Sequence, residues 1–301
     1  MAMSRATVSA MRAAFFLTVA ANLYAQADWS AVDRALGRSG AAQPGGVYKY
    51  SFPRGDLSVT VGGTQIRPAL ALGSWVAFKK TSDGKSMAMG DLVLSPDELP
   101  AVMSKLQQGG VDQTAVHNHL SGESPHVVYM HIMAKGDAET IGKTVHEALA
   151  TTKTPLAAPP QVTPLRLDLD TTAVASAIGV GGKGNGGVYQ ISVPRPETIR
   201  EGGEEIPPSM GVATAINFQP TSSGRAVATG DFVLLPSEVN PVIRALRANG
   251  IAVTALHSHL LMDQPHVLFM HFWGDDDAAK LARGLRAALD ATAMSPSRAG
   301  K

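Results

Sequence analysis

Apolar residues recur along this chain in two rhythms, one helical and one extended, and each is written twice. Leu99, Val102, Met103 and Leu106 fall at i, i+3, i+4 and i+7, the stripe of a helix packed on one side. Ahead of it, Ser95, Pro96 and Glu98 read as N-cap, N1 and N3 of a capping box, and Gly109-Gly110 reads as its stop. At a shift of 140 positions, Val239, Val242, Ile243 and Leu246 draw the same stripe, and Asn249-Gly250 ends it. Behind an Asp137 cap, Ile141, Val145 and Leu149 predict another helix, whose face Leu281, Leu285 and Leu289 repeat.

The extended rhythm predicts strands over 47–52 and 57–61, with Gly62-Gly63 as a two-residue turn returning through 64–66. A second hairpin, 74–80 and 85–94, folds around Asp83-Gly84, and 111–119 and 126–133 read as strands joined by a turn at 120–125. A short helix is expected over 29–36 and a Gly-rich loop over 37–46. These elements predict an α+β fold in which each unit is a mainly antiparallel sheet with helices packed on one face.

The repeat extends well beyond the apolar stripes. Gly62-Gly63 recurs as Gly202-Gly203, Asp83-Gly84 as Ser223-Gly224, Gly90-Asp91 as Gly230-Asp231, and Val47-Tyr48 as Val188-Tyr189 after a one-residue adjustment. One shift held over so many turn and core positions is the signature of a duplicated unit. The four prolines of residues 151–164 suit a semi-extended linker, so the expected division is 1–27, a first repeat over 28–150, the linker 151–164, and a second repeat over 165–301.

Residues 1–27 read as targeting sequence. Arg5 and Arg12 supply a positive start, residues 13–21 an apolar run too short to span a bilayer, and Ala25-Gln26-Ala27 a cleavage site. The expectation is a periplasmic or secreted protein with no membrane span. A net charge of +1 over 301 residues, without a long run of one sign, gives no footprint for nucleic acid. The absence of cysteine rules out disulfides, thiolate nucleophiles, thiolate metal ligands and a cysteine-borne lipid anchor. Any metal must be held by nitrogen and oxygen.

Eight of the nine histidines lie in two windows related by the repeat: His117, His119, His126 and His131, then His257, His259, His266 and His271. Two histidines at i and i+2 on a strand share a face, and Glu123 or Asp263 can swing a carboxylate toward them from the turn. Two imidazoles and a carboxylate suit zinc, and a further histidine would also admit iron, manganese or copper. The expected arrangement is one such site per repeat. Strand parity leaves open whether His126 and His266, or His131 and His271, complete the two sites.

The spacing His117, His119, Glu123 is similar to the first metal motif of cupins, over seven residues only, and implies shared ligand logic without the cupin barrel. A broader resemblance runs through Ala35-Leu36-Gly37, Gly46-Val47-Tyr48, Phe52-Pro53-Arg54, Ala71-Leu72-Gly73-Ser74-Trp75, Met89-Gly90-Asp91, His117-Asn118-His119 and His271-Phe272-Trp273. This order is similar to the LppY/LpqO family, exported bacterial proteins built from a domain of unknown function. The chain departs from that family in having no lipobox cysteine. It also has His126 and His266 where the resemblance implies arginine, which shifts weight to His131 and His271 as ligands.

Other residues carry weaker signals. Residues 181–187 have the composition of a phosphate loop without its Gly-Lys-Ser/Thr ending and read as a connector. Arg54 and Arg195 could bind a small anionic ligand near the site, although solvated surface arginine is the commoner use of such a position. Asp91 and Asp231 read as turn or bulge residues, His146 as a surface residue, and Met130, Met133, Met262 and Met270 as core filler unless the metal is copper(I). The functional expectation is an exported metal-binding protein. The alternatives are a metal-dependent, hydrolytic periplasmic enzyme and an envelope-binding module without metal.

Overall fold

The computed structural model describes residues 27–157 and 165–294. The expected targeting segment, up to residue 26, and residues 158–164 of the expected linker lie outside the described residues.

In the first repeat the order is α1 (Ser30–Leu36), β1 (Ala41–Gln43), β2 (Val47–Pro53), β3 (Thr60–Val61), β4 (Thr64–Gln65), α2 (Pro68–Ala71), β5 (Gly73–Lys80) and β6 (Ser86–Leu94). It continues with α3 (Leu99–Gln108), β7 (Asp112–His117), β8 (Glu123–Ser124), β9 (Val128–Gly136) and α4 (Ala138–Leu149). The second repeat follows with α5 (Thr171–Ile178), β10 (Lys183–Asn185), β11 (Val188–Pro194), β12 (Arg200–Glu201), β13 (Glu204–Glu205) and a single 3-10 turn, Pro208–Met210. Its remainder is β14 (Ala213–Ser222), β15 (Arg225–Leu234), α6 (Val239–Ala248), β16 (Ala252–His257), β17 (Asp263–Gln264), β18 (Leu268–Asp277) and α7 (Ala278–Asp290).

Each repeat builds a six-stranded antiparallel sheet, β1-β2-β5-β6-β9-β7 and its copy β10-β11-β14-β15-β18-β16. Period-two alternation decides what each face meets. Along β6 and β9, Ala88, Leu92, Leu94, Met130, Ile132 and Ala134 pack under α1, α3 and α4. Met87, Met89, Val93 and Tyr129 point the other way, into apolar clusters shared with Val212, Val227, Val233 and Phe269 of the second repeat. The two sheets are therefore packed face to face with helices outside both, and every residue of β6 is buried. Gly90 and Gly230 let their strands come close: a Cβ would stand 2.7 Å from the Trp75 carbonyl at Gly90 and 1.9 Å from the Ala215 carbonyl at Gly230.

Polar contacts also cross between the repeats. Lys79 Nζ donates to the Glu205 carbonyl (2.8 Å), Gln190 Nε2 to the Ala69 carbonyl (2.8 Å), and Thr254 Oγ1 to the His119 carbonyl (2.6 Å).

Four local expectations change. The Gly-rich segment 37–46 contains a strand, β1, because its neighbour β2 offers an edge to pair with. Helix α3 begins at Leu99, four residues after Ser95. The Glu98 carboxylate still accepts from the Ser95 N–H (2.8 Å), but the serine hydroxyl caps nothing. Of the expected strand over 57–61, only β3 pairs. The link from β7 to β9 is more than a turn, because its β8 leaves the main sheet to pair with β3.

Arg54 is neither an anion-binding residue nor a solvated one. It is 0% exposed, and its five N–H bonds reach Asp56 Oδ1 (2.9 Å) and Oδ2 (2.8 Å), Glu98 Oε1 (3.1 Å) and Oε2 (2.8 Å), and the Val93 carbonyl (2.6 Å). Arg195 repeats the pattern with Glu197, Glu238 and the Val233 carbonyl. Both arginines are structural ties.

Candidate functional site

Register places the histidines. In the first sheet Asp91 stands opposite His131, His131 opposite Ala115, and Tyr129 opposite His117, with a bulge between Gln113 and Ala115. Asp91, His131 and His117 thus share the face turned toward the second repeat, and His119 follows just past the end of β7. Asp231, His271, His257 and His259 occupy the same places in the second sheet.

Because the two faces are packed together, all six histidines meet in one cluster. The His117 and His257 rings stack across the boundary with centroids 3.6 Å apart, His131 on His259 at 3.5 Å, and His119 on His271 at 3.9 Å. Tyr129 floors His119 at 3.5 Å and Phe269 floors His259 at 3.6 Å. His117, His119 and His257 are partly exposed, while His131, His259 and His271 are buried.

The polar atoms of this cluster lack partners. The Nε2 atoms of His117, His119, His131, His257, His259 and His271 are buried without a hydrogen bond, and so are Asp91 Oδ1 and Asp231 Oδ1. Such a group costs about 1–3 kcal/mol when left unsatisfied, so eight in one place concentrate a large unmet demand for polar partners at the boundary of the repeats. Outer contacts help to orient the rings. His271 Nδ1 lies 3.0 Å from the Gly230 carbonyl, and His117 and His257 Nδ1 lie 3.3 Å from the carbonyls of Asn118 and Ser258. With the proton on Nδ1, these rings turn a lone pair on Nε2 inward, the arrangement of metal-binding imidazoles.

Burial, then the neighbouring His257, pushes the His117 imidazole down to about 3, and burial pushes His257 down to about 4. His119, His131, His259 and His271 are held well below the usual range by burial first and by one another second. Burial pushes the Asp91 carboxyl up to about 8 against the opposing charge of Lys49, and Asp231 is raised by burial and by Asp91.

These shifts have opposite linkage signs. The unfolded chain protonates its imidazoles near pH 6.5, so their contribution to stability is whole above that value and is lost as the pH falls below it. The Asp91 contribution is whole below about 3.8 and is lost as the pH rises toward 8. Six imidazoles outnumber two carboxyls. With a chelator present, the melting temperature is expected to climb from about pH 4.5 to 6.5 and to stop climbing, or fall, from there to about pH 8. A steady climb through pH 8 would contradict this placement of the carboxyls.

Not every expected site residue joins the cluster. His126 Nδ1 pairs with Glu123 Oε1 at 2.5 Å, and His266 Nδ1 with Asp263 Oδ1 at 3.0 Å, in rings about half exposed. Asp263 Oδ2 also accepts from the Val267 N–H (2.6 Å). Neither carboxylate belongs to the groups of donor atoms that meet within 4.8 Å. Glu123 and Asp263 are drawn off because β8 and β17 pair with β3 and β12 on small separate sheets. The open parity question thus falls to His131 and His271.

Asp91 and Asp231 replace the turn acids as the nearest carboxylates. Asp91 Oδ2 lies 3.6 Å from His119 Nε2 and 3.9 Å from His131 Nε2. Asp231 lies 4.0 Å from both His259 Nε2 and His271 Nδ1. They are neither turn nor bulge residues. The signal available for them was a charge in mid-strand within an apolar run, repeated in both copies.

Other expectations sort without ambiguity. Met130 and Met270 lie in the helix-side cores, Met133 packs at the repeat boundary, and Met262 is 68% exposed. His146 is half buried on α4, with its Nδ1 buried and unpartnered. Residues 183–185 of the Gly-rich segment form β10.

Residues 30–151 and 172–291 each match the model of one family, described as Domain of Unknown Function (DUF1259). No curated protein matches the chain. Among solved structures, a trimeric bacterial microcompartment shell protein, PduB, is similar over 87% of this chain and 93% of its own, at 12% identity and a TM-score of 0.24. A likeness that slight carries no argument about this chain.

Proposed function

The chain belongs to the DUF1259 family as two tandem copies of its domain, and from that premise we propose that it is an exported protein holding a divalent transition metal between its repeats. Zinc is the first choice, with iron, manganese and copper as alternatives. The observation that carries this reading is the convergence of six buried, unpartnered Nε2 atoms from the two repeats. Neutral imidazole is a ligand for each of these metals, and the surroundings hold the rings neutral at any physiological pH. The metal would be held by His117, His119, His131, His257, His259 and His271, which gather in one cluster at the boundary between the repeats. Export rests on the targeting pattern of residues 1–27 and on the resemblance to the exported LppY/LpqO proteins.

A second reading is favoured by the partial exposure of His117 and His257. A metal reached by water there could activate it for hydrolysis, since bound water is acidified toward neutrality. A small-molecule ligand would meet the metal on the side of these two rings.

Elemental analysis of the protein purified without a polyhistidine tag tests the proposal. Metal is expected at one or more ions per chain, and His126→Ala with His266→Ala is expected to leave that content unchanged. A metal-free chain whose melting temperature ignores zinc, iron, manganese and copper would instead favour an envelope-binding module. Hydrolysis of ester, amide or phosphate probes that disappears with the metal would favour the enzyme.

A further inference from the structure

The six imidazoles do not all lie within reach of one ion. A metal with bonds of about 2.0–2.2 Å keeps its donor atoms within roughly 4.4 Å of one another. The donor atoms that meet within 4.8 Å form two sets: His117, His119 and His131, and then His117, His257, His259 and His271. The first set is all three cluster histidines of the first repeat. The second is the three of the second repeat joined by His117.

Each set has a carboxylate at its edge from its own repeat. Asp91 Oδ2 stands 3.6 and 3.9 Å from the Nε2 atoms of His119 and His131, while Asp231 Oδ2 stands 4.0 Å from His259 Nε2 and its Oδ1 stands 4.0 Å from His271 Nδ1, the atom turned to the Gly230 carbonyl. These separations are too long for hydrogen bonds. The separations from Nε2 atoms fall within the range expected of two donors on a single ion, and each aspartate has a buried oxygen without a partner, although neither aspartate belongs to the two sets of atoms that meet within 4.8 Å. A buried carboxylate beside neutral imidazoles is unfavourable unless a cation shares the space.

Resting on the metal-centre reading above, we propose that Asp91 and Asp231 are ligands and that the cluster holds two neighbouring ions. Each ion takes three imidazoles and one carboxylate from one repeat. His117 and His257, stacked between the two sets, stand at the junction of the pair. The halves are not equivalent. Lys49 on β2 faces the same interior, its Nζ 3.7 Å from the Trp75 ring centroid, and it shares a field with Asp91. The corresponding residue in the second repeat is the neutral Gln190, which donates to the Ala69 carbonyl. Burial draws the Lys49 ammonium down to about 8, yet it still carries positive charge at neutral pH in the field of Asp91 and opposes a second cation there, so the Asp231 half fills first and the Asp91 half fills more weakly.

Cobalt(II) is the probe, because it accepts the same nitrogen and oxygen donors as zinc and is coloured in such sites. Equilibrium dialysis of the chelator-treated full chain is expected to show about two cobalt ions per chain, bound in two steps. Asp231→Asn is expected to remove the tighter step and Asp91→Asn the weaker one, leaving about one ion in each. Lys49→Gln is expected to tighten the weaker step roughly tenfold. The metal-free aspartate variants are expected to melt no lower than the parent, which confirms that they fold. One cobalt per chain, unchanged in both aspartate variants, would overturn this inference in favour of a single centre and leave the metal reading standing. Two ions retained in both variants would remove the aspartates as ligands. No cobalt bound at all would sink both proposals.

Discussion

His117→Ala together with His257→Ala is expected to lower the affinity for the added metal by at least about 100-fold and to abolish its stabilising effect. These two rings stand at equivalent positions of the repeats and stack across the boundary, 3.6 Å apart, and His117 belongs to both sets of converging donors. Removing them leaves each half with two imidazoles and a carboxylate. Because both rings are partly exposed, the substitution opens little buried space. In the parent protein, free metal at about 1,000 times its dissociation constant would stabilise the fold by about 4 kcal/mol. At about 2–4 °C per kcal/mol for a chain of this size, the melting temperature should rise by roughly 8–16 °C. The double variant should melt at nearly the same temperature with metal as without it. A full metal-dependent rise in that variant would refute these two rings as ligands.

Arg54→Ala is expected to cost about 3–5 kcal/mol, lowering the melting temperature by roughly 6–20 °C without changing metal content. All five N–H donors of this guanidinium are used, and the Glu98 carboxylate it holds also accepts from the backbone N–H of Ser95 and of Lys153 (2.8 and 2.9 Å). One arginine therefore ties the end of β2 to the turn before α3 and to the chain leaving α4. Its loss strands Glu98, mostly buried, without its cation. Arg54→Lys is expected to restore little, because an ammonium cannot present the planar fork that grips two carboxylates. Arg195→Ala should match it, since Glu238 accepts there from Leu235 and Ala293 in the same way. A melting temperature within a degree or two of the parent would show that the network is dispensable.

Both predictions turn on residues whose meaning differs between sequence and structure. As a sequence, Phe52-Pro53-Arg54 is a strand end followed by a charge, and the ordinary expectation is water. Asp56 is a local partner, but Val93 and Glu98 come from 39 and 44 residues away, and no local pattern names them. Asp91 suffers the same ambiguity in reverse. A glycine-aspartate step resembles a turn, yet here the strand runs straight through it and the aspartate faces the histidines.

Much of the architecture was legible. The helical stripes of α3, α4, α6 and α7, the hairpin β5–β6, the antiparallel sheet with helices on one face and the duplication all follow from periodicity, capping residues and a constant offset. So does the shared face of His117 and His119, because alternate side chains on a strand point the same way whatever lies beyond them. Periodicity says which side of a strand a residue occupies, but it is silent about what covers that side. The sheet faces opposite the helices are apolar enough to demand cover, and that cover is the other repeat. Two windows of histidine that lie 140 positions apart come together in one cluster. The same packing draws in Asp91 and Asp231, while short pairings on the small sheets carry Glu123 and Asp263 away. The histidines and their common face belong to the chain's own spacing. Their meeting belongs to the burial of one sheet against another, a contact between residues 140 positions apart that no local pattern can encode.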